Sequence, residues 1–158
     1  MPTTPIRRHP ALVPYSQEHH SGLMIVLLVK KGLQAGAATE RIAAYIQACY
    51  TQELQPHFAA EETHLLPLLP PAHAMRLRIL QEHRQLELLV QEIAKPEASQ
   101  HAIQSFMTLL ETHIRYEERE VFNYLQDTVP HLLTNLLQAA HPAACSISST
   151  WPDAFWKG

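Results

Sequence analysis

Between its proline breaks this chain repeats apolar residues every three or four positions: Ile42, Ile46, Cys49; then Ile79, Leu86, Val90, Ile93; then Ile103, Phe106, Leu110, Val121. That is the period of a helix face, since a strand would alternate every second residue. With only 4 Gly and almost no alternating β-branched run, while Leu, Ala, Gln and Glu abound, the pattern predicts an all-α fold.

Punctuation sets the helix limits. After a Pro-rich lead-in, a first helix is expected over about residues 16–33, with Gly36 as its C-terminal stop. Thr39 reads as the cap of a second, which Pro67, Pro70 and Pro71 end after about Leu66. A third follows Pro71 and stops at Lys95-Pro96, and a fourth runs from about Ser99 to Gln126, before a break at 127–130. Short connections make sequential neighbours antiparallel, so the expectation is an up-down-up-down antiparallel four-helix bundle. The expected layout is a lead-in, 1–15, the bundle, 16–127, and a closing segment, 128–158, packed on it. That last segment should hold a short extra helix at 130–140 and an extended tail pinned by Trp151, Phe155 and Trp156. At 158 residues and 46% apolar content, one domain with its own core is expected.

The apolar stripes are interrupted by polar residues where none should be. The second carries His57 and Glu61, the third His83, the fourth His113 and Glu117, and the first helix holds the pair His19-His20. Residues at i and i+4 share a helix face, so each His-x-x-x-Glu pair aims an imidazole and a carboxylate at one point. Spacing alone is a weak argument: 11 His produce roughly one such pair by chance, and His83 with Glu87 makes a third. Placement inside an apolar stripe argues more strongly. A lone core histidine is usually satisfied by a carbonyl or hydroxyl, but four in register, with two carboxylates, cost several kcal/mol to bury unless paired or bound to metal. The set exceeds the ligands of a structural zinc, and imidazole mixed with bridging carboxylate suits a pair of iron or manganese ions.

Helical phase leaves the first ligand open between two candidates. His19 shares its face with Gly22, Val26 and Val29, His20 with Leu23, Leu27 and the charged Lys30, which leans toward His19. Glu62, Glu118 and Glu120 point about 100° or more away from the proposed ligands and are expected to face solvent or support a ligand from outside. His9 sits in the lead-in, and His64, His73, His101, His131 and His141 fall at helix ends or on polar faces, where solvated imidazoles are the default. Glu61-x-x-His64 matches one ferritin-type motif, but that scheme needs a second, and none is present. Tyr116, beside Glu117, is the tyrosine nearest the proposed chemistry.

The stretches 16–23 (SQEHHSGL), 56–62 (PHFAAEE) and 113–118 (HIRYEE) resemble the hemerythrin-like, or HHE cation-binding, family, with its His, His-x-x-x-Glu, His, His-x-x-x-Glu order on four antiparallel helices. The resemblance spans about residues 15–127, and the ending DAFW at 153–156 is similar to that of short stand-alone members. It implies terminal ligands His57, His83, His113 and one of His19 or His20, with Glu61 and Glu117 bridging two iron ions, oxo- and carboxylate-bridged, for which zinc or manganese can substitute. Oxygen-carrying hemerythrins have a fifth histidine one turn after the third-helix ligand; here that place is Glu87, which argues against simple dioxygen carriage.

The implied function is a binding protein for dioxygen, nitric oxide or iron itself, in sensing, storage or stress protection. The rival is a di-iron oxidoreductase using dioxygen, peroxide or nitric oxide, and a third reading is a metal-free helical interaction module. Motif and resemblance support binding more than turnover. A formal charge of −3 without a basic stripe excludes nucleic acid as an expected partner. The longest apolar run, 23–29, is far below the roughly 20 residues of a membrane span, and no secretory pattern opens the chain, so a cytoplasmic protein is expected. Cys49 and Cys145 show no metal or disulfide spacing. No P-loop, G-x-G-x-x-G or nucleophile elbow is present. A homodimer through the exposed faces is a further candidate partnership.

Overall fold

A computed structural model describes residues 7–137 and 146–158. The described residues form four long helices and a short fifth, with no strand among them. Helix α1 is Val13–Gln34. Helix α2, 39–65, is one rod in which α-helical Thr39–Cys49 and Gln55–Ala60 alternate with π-helical turns at Tyr50–Leu54 and Glu61–Leu65. Helix α3 is Ala74–Ile93. Helix α4, 100–128, joins Gln100–Tyr116 to Phe122–Thr128 through a π turn at Glu117–Val121, and α5 is Pro130–Leu136. No helix among the described residues is long and apolar enough to cross a membrane.

The ends obey local chemistry, with two departures from the sequence reading. Helix α1 opens at Val13, not near Ser16: Pro14 falls in its first turn, where a missing N–H costs nothing, and Leu12 and Tyr15 are buried there. Thr39 does not cap α2; Ala38 holds the cap position and no side chain bonds the first turn. Gly36 does end α1, at φ +72°, a left-handed conformation that glycine adopts without strain. Ser99 caps α4, its hydroxyl accepting from the Ala102 N–H at 3.1 Å. The π turn at Tyr50–Leu54 precedes Pro56, whose absent N–H and bulky ring disrupt the regular ladder in the middle of a helix.

Two apolar clusters fill the interior. One contains Ile25, Val29, Ile42, Ile46, Leu86, Ile103, Phe106 and Leu110. The other contains Leu12, Tyr15, Leu65, Ile79, Val121, Phe122 and Leu125. On every long helix the polar stripe residues fall between members of the two clusters in sequence: His19 between Tyr15 and Ile25, His83 between Ile79 and Leu86. A polar layer is thereby sealed between two apolar ones.

Residues 146–158 pack on the first cluster. Phe155 is buried against the backbone of Gly32, where any Cβ would lie 2.5 Å from its ring. The Ile147 N–H donates to Glu53 (3.1 Å), Tyr45 and Ser148 share a hydrogen bond (2.6 Å), and Arg41 pairs with Asp153 (2.6 Å). The expected helix at 130–140 is seen to Leu136; residues 138–140, His141 and Cys145 lie outside the described residues.

Candidate metal centre

Helix α1 supplies His19, α2 His57 and Glu61, α3 His83, and α4 His113 and Glu117, all six buried. Their ligand atoms form two sets: His19, His57, Glu61 and Glu117, and Glu61, His83, His113 and Glu117. Within each set every atom lies within 4.8 Å of the others, close enough to hold a metal ion, and both carboxylates belong to both sets. Glu61 Oε1 stands 3.1 Å from His57 Nε2 and 3.3 Å from His83 Nε2. Glu117 Oε1 stands 3.1 Å from His19 Nε2 and 3.0 Å from His113 Nε2.

These short separations are mostly not hydrogen bonds. The Nε2 atoms of His57, His83 and His113 and both oxygens of Glu61 are buried with no hydrogen-bond partner. They are near one another because they converge, not because donor meets acceptor. Leaving such atoms unsatisfied costs about 1–3 kcal/mol each, more for a charged group. A cation at the convergence points satisfies all of them, and a mixed imidazole and carboxylate set suits iron, manganese or zinc. The residues fit a metal.

The outer nitrogens are all engaged, in a closed ring. Glu18 on α1 meets His57 Nδ1 on α2 at 2.9 Å, and Glu62 on α2 meets His83 Nδ1 on α3 at 3.0 Å. Glu82 on α3 meets His113 Nδ1 on α4 at 2.9 Å, and Glu118 on α4 returns to His19 Nδ1 on α1 at 2.9 Å. Each carboxylate accepts the Nδ1–H and thereby aims Nε2 at the centre, so that its lone pair faces a metal once the second ring proton is lost, the arrangement that metal-binding histidines use. Two of the four are themselves anchored. Arg8 donates to the side chain and backbone carbonyl of Glu118 (2.9 and 3.0 Å), and Arg78, stacked on Tyr116, donates to Glu82 (3.3 Å).

The charges respond as the geometry dictates. Burial would lower the imidazole pKa values, but the charge on Glu61 and the bond to Glu18 raise His57 to about 10. Glu117 and Glu82 do the same for His113, also to about 10. Burial would raise the Glu117 pKa, yet His113 and the hydrogen bonds around it hold it well below the usual carboxylate range. Aromatic rings wall the layer: Phe122 stacks on His19 at 5.3 Å and Phe58 on His83 at 4.1 Å between centroids.

Of the residues singled out in the sequence, His19, His57, Glu61, His83, His113 and Glu117 come together. His20 does not: one residue on from His19, about 100° round the helix, it is exposed. Glu87 is half-buried and pairs with Arg84 (2.5 Å), so it stands outside the cluster. Glu62 and Glu118 act on the histidines from outside. His73 accepts from the Met75 N–H at the start of α3, and His101 and His131 are exposed. Cys49 is a buried free thiol. Glu18, Glu82 and Arg8 escaped the sequence reading. The first two stood in view as a repeated Glu-His step, 18–19 and 82–83, matching the repeated Glu-Glu step, 61–62 and 117–118.

An all-helical protein with a buried His/Glu cluster able to bind metal is what fold and site define. The Hemerythrin HHE cation binding domain matches residues 16–125, and the chain belongs to that family. Comparison with the curated proteins and with the solved structures returned no match.

Proposed function

We propose that the chain is a non-haem di-iron binding protein of the hemerythrin type, whose site takes a small diatomic ligand, dioxygen or nitric oxide, or iron itself, in sensing, storage or stress protection. His19, His57, Glu61 and Glu117 hold one ion, and His83, His113 and the same two carboxylates hold the other. The observation that carries this is the convergence of orphaned atoms: three Nε2 atoms and both oxygens of Glu61 buried without partners, in two overlapping four-donor sets. Those orphans weigh against a metal-free interaction module, because a buried network earns stability only when its members are satisfied. The proposal places the site on an up-down-up-down antiparallel bundle over 16–127, with 1–15 leading in and 128–158 packed on it, as the short connections between helices favour.

Four protein donors per ion leave room for an exogenous ligand on a metal that accepts six. Iron held there would supply redox and ligand-binding chemistry. The chain's own contribution is to hold each Nε2 inward through the Glu ring, to keep Glu117 ionised through His113 and the hydrogen bonds around it, to present Glu61 to both donor sets, and to keep water out with Phe58 and Phe122. The same open positions support an oxidoreductase as the second reading; steady multiple turnover with dioxygen, peroxide or nitric oxide separates the two. A cytoplasmic setting belongs to the proposal and suits the free thiol of Cys49.

The test is metal content per chain with the optical spectrum, taken anaerobically and after air, on wild type and on a His57→Ala, His113→Ala double variant. About two irons per chain, with near-ultraviolet bands lost in the variant, is the expected result. Wild type that carries no metal after incubation with iron(II), with a spectrum like the variant's, refutes it.

A further inference from the structure

We infer that metal ions reach the centre from one side, between α2 and α3, past Glu62 and His83. The inference rests on the metal-binding reading above and adds a route to it. A cavity of about 440 Å³ opens between these helices, and His83 is the one proposed ligand that lines it. Phe58 and Leu80 contribute to its wall, and Glu62, Tyr50 and Glu87 contribute polar groups.

The four outer carboxylates differ in cover. Side-chain exposure is 10% for Glu82, 15% for Glu18 and 26% for Glu118, but 42% for Glu62. Glu118 is held by Arg8 and Glu82 by Arg78. Glu62 thus joins the cavity to His83 Nδ1 as the most exposed member of the ring. Its rotation into the cavity frees His83 to turn, and both can capture a cation and carry it inward. Near the mouth Arg84 is paired with Glu87 at 2.5 Å, which cancels one charge and leaves the carboxylate of Glu62 as the cation-attracting group. A second cavity, about 310 Å³, lies on the α3–α4 side, but Arg78, Arg115 and Arg119 line it and none of the six proposed ligands does. Arg78 is paired with Glu82 and Arg115 with Glu111, and Glu120 also lines this cavity, so what sets it apart from the first is that no proposed ligand opens onto it.

The experiment is anaerobic stopped-flow uptake of cobalt(II), followed by its visible absorption, on full-length wild type and on Ala59→Trp, Thr63→Trp, Glu62→Gln and Thr112→Trp. Ala59 and Thr63 line the first cavity and Thr112 the second, and all three are exposed helix positions. Ala59→Trp and Thr63→Trp should each slow uptake about ten-fold or more while final stoichiometry and helix content stay unchanged, and Glu62→Gln should slow it most at low salt. Thr112→Trp should load at the wild-type rate. Equal rates in all variants, or equal slowing by Thr112→Trp, overturn the route while leaving the metal centre intact. Wild type that binds no cobalt overturns the metal centre itself, and the route with it.

Discussion

Replacing Glu82 by Gln is the sharpest probe of the carboxylate ring. The amide keeps an oxygen to accept from His113 Nδ1, now 2.9 Å from Glu82 Oε1, and removes only the charge. Glu82 is the best covered of the four, with 10% of its side chain exposed against 42% for Glu62, so solvent screens its charge least. Outer partners of ligating histidines contribute about 10- to 100-fold to metal affinity, or about 1.4 to 2.8 kcal/mol. Glu82→Gln should fall near the 100-fold end. Glu62→Gln, whose side chain is the most exposed of the four at 42%, should cost only a few-fold, in keeping with the roughly 0–1 kcal/mol of exposed pairs. Arg78, left without Glu82, remains on the Tyr116 ring at 3.6 Å, so loss of folding should not confuse the result. Chelator competition for cobalt(II) under anaerobic conditions reads both affinities, and circular dichroism monitors the fold. If Glu62→Gln weakens binding as much as Glu82→Gln, burial does not set the strength of each corner; if neither weakens it, the ring does not tune the ligands.

Metal loading should release protons. His57 and His113, raised to about 10 in the metal-free protein, must deprotonate to ligate, so affinity should climb as pH rises toward that value; calorimetry in buffers of differing ionisation enthalpy measures the release. By the same linkage, their folded values lie above the ordinary 6.5, so their contribution to metal-free stability is full below about 6.5 and is lost as pH rises through about 10. A chelated sample whose Tm rises between pH 6.5 and 9.5 contradicts this. Phe155→Ala should cost about 3–5 kcal/mol, a large cavity for a buried ring, and Gly32→Ala about 1–3 kcal/mol by driving a Cβ into the same ring; thermal melts of the two variants check the order. Cys49, which burial pushes up to about 12, should resist alkylation at neutral pH in a Cys145→Ser background until the protein unfolds, as mass spectrometry would show.

The helices and the buried cluster of His and Glu could be read from the chain because their causes are local. Ile79, His83, Leu86, Val90 and Ile93 share a face by spacing alone, and that face is buried. That His19 is buried and His20 exposed follows from the apolar company of the His19 face. What could not be read depends on neighbours distant in sequence. Arg8 reaches Glu118 across 110 positions, and Phe155 fits a slot that exists because Gly32 has no side chain. The early start of α1 was hidden because Pro14 reads as a break, although in the first turn it is compatible with a helix. The π turns leave no periodic trace: a single i→i+5 turn shifts the phase without removing the apolar stripe.

Those turns explain how adjacent glutamates come to do different work. In α2 the N–H of Leu66 reaches back five residues to the Glu61 carbonyl, and in α4 the N–H of Phe122 does so to Glu117. Both π turns begin at the inner carboxylate, and each is followed at once by an outer one. Glu61 and Glu117 point at the shared centre, while Glu62 and Glu118 turn aside to the next helix's histidine. Glu18 and Glu82 reach the same relation by simple adjacency on regular helix. The two halves of the site are therefore alike in their inner donors and unlike in their backing. Arg8 fixes the corner at His19 and Arg78 the corner at His113, whereas the corner at His83 opens on a cavity. On the two-metal proposal, an ion held in the half containing His83 would exchange faster than its neighbour, because the outer partner that holds a ligand from behind governs how firmly that ligand stays on the metal.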